Sequence, residues 1–163
     1  MISSIRLDGT MACMHLPGAA DTEAFVTYVG EVLCPTLRRG DIVVMDNLAV
    51  HKRPMVAVLV EAGGAEVKFL PAYSPDLNSM EKMWSKIKAL LRSYEARTTK
   101  ELDEAIRTAF SKITAKDAMR YFASCGYSII ENALTTTPSL SKLPLSLTSG
   151  ASSASLVGAA VWS

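Results

Sequence analysis

Two short apolar runs, each ending in polar residues, stand out in the first half of the chain. Residues 42–45 are mostly β-branched and stop at Asp46 and Asn47, which is the pattern of a buried strand with a carboxylate at its carboxyl end. Residues 67–70 form the second run, which ends at Pro71 and leads into a polar loop. Ligands of open α/β sheets bind outside the carboxyl ends of the strands, so we expect a functional site there.

Helical periodicity is clearest in residues 78–94. The apolar positions form a single stripe on such a helix, made of Met80, Met83, Trp84, Ile87, Leu90, Leu91 and Tyr94. An adjoining polar strip carries Glu81 in the first turn, with Lys88 and Arg92 further along. A carboxylate followed by two cations on one helix face suits a metal ion beside a phosphate backbone.

The rest of the pattern alternates strands with helices. The Asp8-Gly9 pair predicts a hairpin between short runs at 2–7 and 10–16. Four more helices are predicted from capping residues and apolar spacing, at about 21–37, 54–62, 99–113 and 114–125. This alternation predicts an α/β fold in which helices pack on a sheet.

The character of the sequence changes at Ser128. The last 36 residues contain nine Ser and four Thr but only two charged residues, Glu131 and Lys142. Because this composition is serine-rich, poor in aromatic residues and without helical or strand periodicity, we expect a disordered tail. The predicted domains are therefore a folded unit at 1–127 and a low-complexity tail at 128–163.

Composition indicates an ordinary soluble protein with a hydrophobic core. The chain has 163 residues, of which 49% are hydrophobic and 20% charged, with a net charge of +1. Any DNA-binding surface must therefore be local. Three scattered cysteines predict neither a disulfide nor a metal site. No membrane span or signal peptide is predicted, and the expected location is the cytoplasm, with association to the nucleoid when the protein binds DNA.

Two motif blocks resemble the catalytic half of a DDE transposase: DIVVMDNLAVHKRP and FLPAYSPDLNSMEKMWSKIKALLR. The similarity is to the bacterial insertion-sequence branch of the mariner-like superfamily, and it covers about residues 1–127. Thirty-four residues lie between Asp46 and Glu81, the spacing known in that group for its second and third carboxylates.

The resemblance implies a ribonuclease H-like domain, a mixed five-stranded sheet with helices on both faces. The first strand of that fold is central and carries the first catalytic Asp. The runs at 2–7 and 10–16 would be its second and third strands, and those at 42–45 and 67–70 its fourth and fifth. The expected sheet therefore lacks the central strand, which leaves unpaired edges or a gap that must close.

The resemblance also implies cleavage and rejoining of DNA by two Mg²⁺ ions, or Mn²⁺, held by three carboxylates. Asp46 and Glu81 would be catalytic residues and metal ligands. Asn47, His51 and Asn78 would support these ligands or contact DNA. The candidate phosphate contacts are Lys52, Arg53, Lys88 and Arg92.

Three functional interpretations remain open. The first is a fragment of a transposase catalytic domain, expected to have little or no activity alone because the first Asp is absent. The second is a non-catalytic remnant that binds DNA, self-associates, or pairs with a full-length transposase and interferes with it. The third is an unrelated α/β domain, in which Asp46 and Asn47 only end a strand and Glu81 only belongs to a capping box with Asn78.

Overall fold

Five strands form one mixed sheet in the computed structural model, which describes residues 1–16, 20–127 and 155–161. The strands are β1 (Ile2–Arg6), β2 (Met11–Met14), β3 (Ile42–Met45), β4 (Glu66–Phe69) and β5 (Leu156–Val161). Their order across the sheet is β2-β1-β5-β3-β4. The predicted α/β class, a mixed sheet with flanking helices, is confirmed.

The predicted hairpin joins β1 to β2 through a tight turn at Gly9. This glycine has φ of +87°, a left-handed conformation that favours glycine. A Cβ atom at Gly9 would also lie only 2.7 Å from the Cα atom of Ala115. The glycine therefore serves both the turn and the close approach of a helix from the far end of the domain.

Five helices flank the sheet: α1 (Thr22–Tyr28), α2 (Pro54–Ala62), α3 (Ser79–Tyr94), α4 (Thr99–Ser111) and α5 (Ala115–Ser124). Only the first differs clearly from its predicted range. After Tyr28 the chain continues as a π-helical turn at Val29–Leu33 and a 3₁₀ turn at Cys34–Thr36. Pro35 has no N–H to donate, which disfavours further regular helix at this point. None of the described helices is both long and apolar enough to cross a membrane.

The sheet separates two hydrophobic cores. The core on the side of α3, α4 and α5 includes Ile5, Val44, Leu156, Met83, Ile87 and Phe122. The core on the side of α1 and α2 includes Ile2, Val43, Val157, Phe25 and Val60. Consecutive residues of a strand point to opposite faces, so β3 and β5 each contribute to both cores.

The centre of the sheet is where the structure departs from expectation. Residues 156–161, predicted to belong to a disordered tail, instead form β5 between β1 and β3, antiparallel to β1 and parallel to β3. The central position of the sheet, for which the resemblance predicted no strand, is thus occupied by a strand from the other end of the sequence. Residues 156–159 of β5 are buried on both faces, so this part of the sequence lacks the alternation that marks a half-exposed strand. The tail prediction for residues 128–154 and 162–163 lies outside the described residues.

A buried ion pair connects the two strands that flank β5. Arg6 at the end of β1 binds Asp41, which directly precedes β3, through two hydrogen bonds of 2.6 and 2.9 Å. Both side chains are almost fully buried. Asp41 also accepts a hydrogen bond from the backbone N–H of Arg38, so its carboxylate is well satisfied.

Candidate active site

The carboxyl end of β3 presents Asp46 in a tight polar turn. Its carboxylate accepts a hydrogen bond of 3.2 Å from the backbone N–H of Leu48. The same oxygen lies 2.5 Å from Nδ1 of His51, a fully buried side chain, although the contact lacks the direction of a good hydrogen bond. The imidazole ring also packs on Phe25, with 4.4 Å between the ring centroids. The protein interior thus fixes the histidine that borders this carboxylate.

The surroundings of Asp46 favour its ionised form. Partial burial by itself would raise the pKa of this carboxyl group, but contact with His51 and the N–H of Leu48 outweigh it, and the pKa lies below its usual value. Asp46 is therefore a carboxylate at neutral pH, the form in which it can ligate a cation.

The second carboxylate reaches the same edge of the sheet through the loop after β4. The backbone N–H of Leu70 donates to Met45, which holds the loop beside the end of β3. A short 3₁₀ turn at Pro75–Leu77 then leads to Asn78, whose side chain caps α3 by accepting from the N–H of Met80 at 3.0 Å. Glu81 follows in the first turn of α3.

Helix capping does not account for the Glu81 side chain. The backbone N–H of Asn78 donates to Pro75, whereas a capping box would require it to bind the Glu81 carboxylate. In α4, by contrast, Glu101 does close such a box with Thr98. Glu81 is exposed, and its carboxylate is left for another role.

An open pocket of about 410 Å³ brings the two carboxylates together. Its lining includes four of the residues singled out from the sequence: Asp46, Asn47, Asn78 and Glu81. His51 lies behind this lining, in contact with Asp46, and its burial leaves it no surface for contact with DNA. The four predicted phosphate contacts are exposed but outside the pocket lining: Lys52, Arg53, Lys88 and Arg92.

Tyr73 is a pocket residue to which the sequence analysis assigned no role. It is fully exposed at the pocket edge and has φ of +58°. This conformation is uncommon for a bulky residue, and such strained positions cluster at functional sites. Its position between Pro71 and Pro75 indicated a constrained loop, but nothing in the sequence indicated the sign of φ.

The donor set at this edge suits one hydrated magnesium ion. Magnesium prefers oxygen ligands and commonly binds through one or two carboxylates while it keeps several waters, which fits Asp46 and Glu81. Among the described residues no three His, Cys, Asp or Glu side chains group closely enough to hold a metal. The strand β5, which lies between β1 and β3, is apolar throughout, from Leu156 to Val161. Among the described residues, this pocket therefore offers two carboxylates and not three.

The fold and the pocket together define an α/β domain with paired acidic residues where two parallel strands end. The model of the family described as DDE superfamily endonuclease matches residues 1–103. The chain therefore belongs to this family, whose members in general use divalent metal ions and act on DNA. No curated protein matches the chain. The matched range includes both Asp46 and Glu81 but not β5. Family membership excludes the third interpretation considered above, an unrelated α/β domain.

Proposed function

We propose that this chain is a fragment of a transposase catalytic domain that binds DNA and one divalent cation but cleaves DNA little or not at all by itself. The observation that carries the proposal is the pairing of β3 with β5, a strand without any acidic residue. Asp46 and Glu81 line one pocket, while β5, which runs beside β3, has no acidic residue. A related parent with a third carboxylate would hold two ions and carry out cleavage and strand transfer.

In this proposal the side chains of the pocket hold and orient one cation. Asp46 and Glu81 are the ligands, and His51 is a positioning residue, because its buried ring borders the carboxylate of Asp46. Asn47 and Asn78 border the same pocket, where Asn78 maintains the start of α3. A bound magnesium or manganese ion would supply charge stabilisation for phosphodiester chemistry.

DNA would approach along the exposed cations near the pocket. Lys88 and Arg92 follow Glu81 along α3, and Lys52 and Arg53 follow the turn after β3. Lysine and arginine side chains that neutralise phosphates make binding strongly dependent on salt. We expect a Lys88→Ala/Arg92→Ala variant to lose DNA affinity equally for all sequences, with a shallower salt dependence.

Binding of Mn²⁺, followed by electron paramagnetic resonance, tests the metal site directly. We expect weak binding that is lost in Asp46→Asn and in Glu81→Gln. Asp76→Asn is the matched control, because Asp76 is exposed in the same loop but does not line the pocket. Equal Mn²⁺ binding by all four proteins would refute the assignment.

Incubation with supercoiled plasmid and with DNA carrying transposon ends, in Mg²⁺ or Mn²⁺, tests the expected lack of cleavage. Robust metal-dependent nicking that disappears in Asp46→Ala would contradict the proposal that the chain is inactive alone.

A second candidate function is interference with a full-length transposase, or self-association, without catalysis. It is favoured by the same apolar β5, because a chain with a complete sheet and an incomplete donor set can bind without reacting. Titration of this chain into a reaction of a full-length relative tests it. Inhibition that survives Asp46→Ala supports interference, and inhibition that requires Asp46 points to competition through the pocket instead.

A further inference from the structure

The strand β5 occupies a groove formed by distant parts of the chain. It pairs with β1 from Val157 to Val161 and with β3 from Leu156 to Ala159. The twenty-seven residues at 128–154 separate it from the rest of the described structure. The groove is therefore formed by one part of the chain and filled by another.

Interactions independent of β5 hold the walls of the groove. β1 is paired on its other side with β2, and β3 with β4. The buried Arg6–Asp41 ion pair joins one wall to the other, and Arg6 also donates to the carbonyl oxygen of Thr36 at 2.7 Å. None of these contacts involves β5.

The groove selects the strand that fills it. A Cβ atom at Gly158 would lie 2.6 Å from the hydroxyl oxygen of Ser79 and 3.4 Å from Met80. A Cβ atom at that distance would displace the buried Ser79 side chain, so the groove favours glycine at this position. The neighbouring Leu156 and Val157 are buried on opposite faces. An extended apolar segment with a central glycine therefore matches the groove.

We propose that this groove is a strand-acceptor site for residues 156–161 of a second copy of this chain, so that two copies exchange their C-terminal strands. Twenty-seven residues can span up to about 90 Å when extended, far more than the diameter of one domain. A second copy supplies a segment of identical sequence, with the glycine that the groove favours. Exchange of an identical element is a low-cost route to a dimer because the contacts in each copy are the same as before.

Strand exchange can be tested on the full chain after it has folded. A protease site is introduced within residues 139–146, the folded protein is cut there, and a fluorescent peptide of residues 151–163 is added in excess. We expect the cut C-terminal piece to co-elute with the rest of the protein, and the peptide to displace it gradually, with a rise in fluorescence anisotropy. Immediate release of the piece, with an unchanged unfolding transition in the remainder, would overturn the proposal.

The selectivity of the groove for glycine at position 158 provides the matched control. A peptide carrying Gly158→Ala should bind the cut wild-type protein at least tenfold more weakly than the wild-type peptide does. It should regain binding to a cut Ser79→Ala protein, in which the clashing oxygen is gone. If both peptides bind wild type equally, or if Ser79→Ala restores nothing, then the peptide does not occupy the groove and the proposal is wrong.

The final experiment mixes uncut chains that carry two different tags at high concentration. We expect co-purification of the two tags, and more of it when one chain carries Gly158→Ala and the other Ser79→Ala, because exchange between these two chains relieves the clash that the first chain has with its own Ser79. When both chains carry Gly158→Ala, exchange relieves no clash, so no such increase is expected. Absence of mixed dimers, with peptide exchange intact, would confine the strand to its own chain and overturn the proposal.

Discussion

β3 and β5 lie side by side and parallel at the centre of the sheet, and both are buried on both faces. At its carboxyl end β3 delivers Asp46, an ionised side chain bordered by a buried histidine. β5 is apolar from end to end and contributes packing and backbone hydrogen bonds but no acidic side chain. The comparison shows that a strand can complete the hydrogen bonding of a sheet without completing the chemistry at its edge.

The largest effect is expected from the ion pair that joins the two strands beside β5. Asp41→Asn leaves the buried Arg6 guanidinium without its anion, and breaking one partner of a buried pair costs about 3–5 kcal/mol of unfolding free energy. Urea denaturation measures this loss. Asp8→Asn is the control, because the Asp8–Arg38 pair is exposed and 3.7 Å apart, and its loss should cost no more than about 0.5 kcal/mol. Equal losses of unfolding free energy in the two variants would show that the Arg6–Asp41 pair does not hold β1 and β3 in place.

A carboxylate introduced into β5 tests whether the two strands differ only in their side chains. Ala159 pairs with Met45, so the next position, 160, lies beside Asp46 in the register. We expect Ala160→Asp to tighten Mn²⁺ binding by about tenfold or more, equivalent to about 1.4 kcal/mol. Ala160→Asn, of equal size but uncharged, should not. Equal binding by the two variants would mean that the register does not bring the new carboxylate to the pocket.

The smallest effect concerns the contact between His51 and Asp46. Because the folded pKa of Asp46 is depressed, its contribution to stability is fully present above its ordinary pKa of about 4 and is lost as the pH falls through the lower folded value. His51→Phe keeps an aromatic ring against Phe25 but removes the favourable partner, so the pKa of Asp46 rises.

We therefore expect this variant to be less stable than wild type near neutral pH, with a smaller difference below pH 4. Acid titration of thermal unfolding measures it, and the exposed His15→Phe serves as control. A difference that stays constant with pH would assign the effect to packing.

Local patterns were sufficient to predict much of the sheet and the acidic pair. Neighbouring residues alone indicate the β-branched run that ends at Asp46 and the periodic helix that contains Glu81. Because parallel strands have their carboxyl ends at one edge of the sheet, both side chains were expected at that edge. β5 could not be predicted in this way, because Gly158 and Ala159 are small, both faces are buried, and its partners lie more than a hundred residues away. The positive φ of Tyr73 also escaped prediction, since it depends on the packing of the whole loop.

The position of β5 late in the sequence has a consequence for synthesis on the ribosome. Every other described strand has been translated before β5 emerges, yet β5 belongs between β1 and β3. At about 5–20 residues per second, the nascent chain spends several seconds with its helices made and its central sheet edges unpaired. Unpaired edges invite association between chains, so crowded polysomes would bring neighbouring copies together at the stage when each is ready to accept a strand.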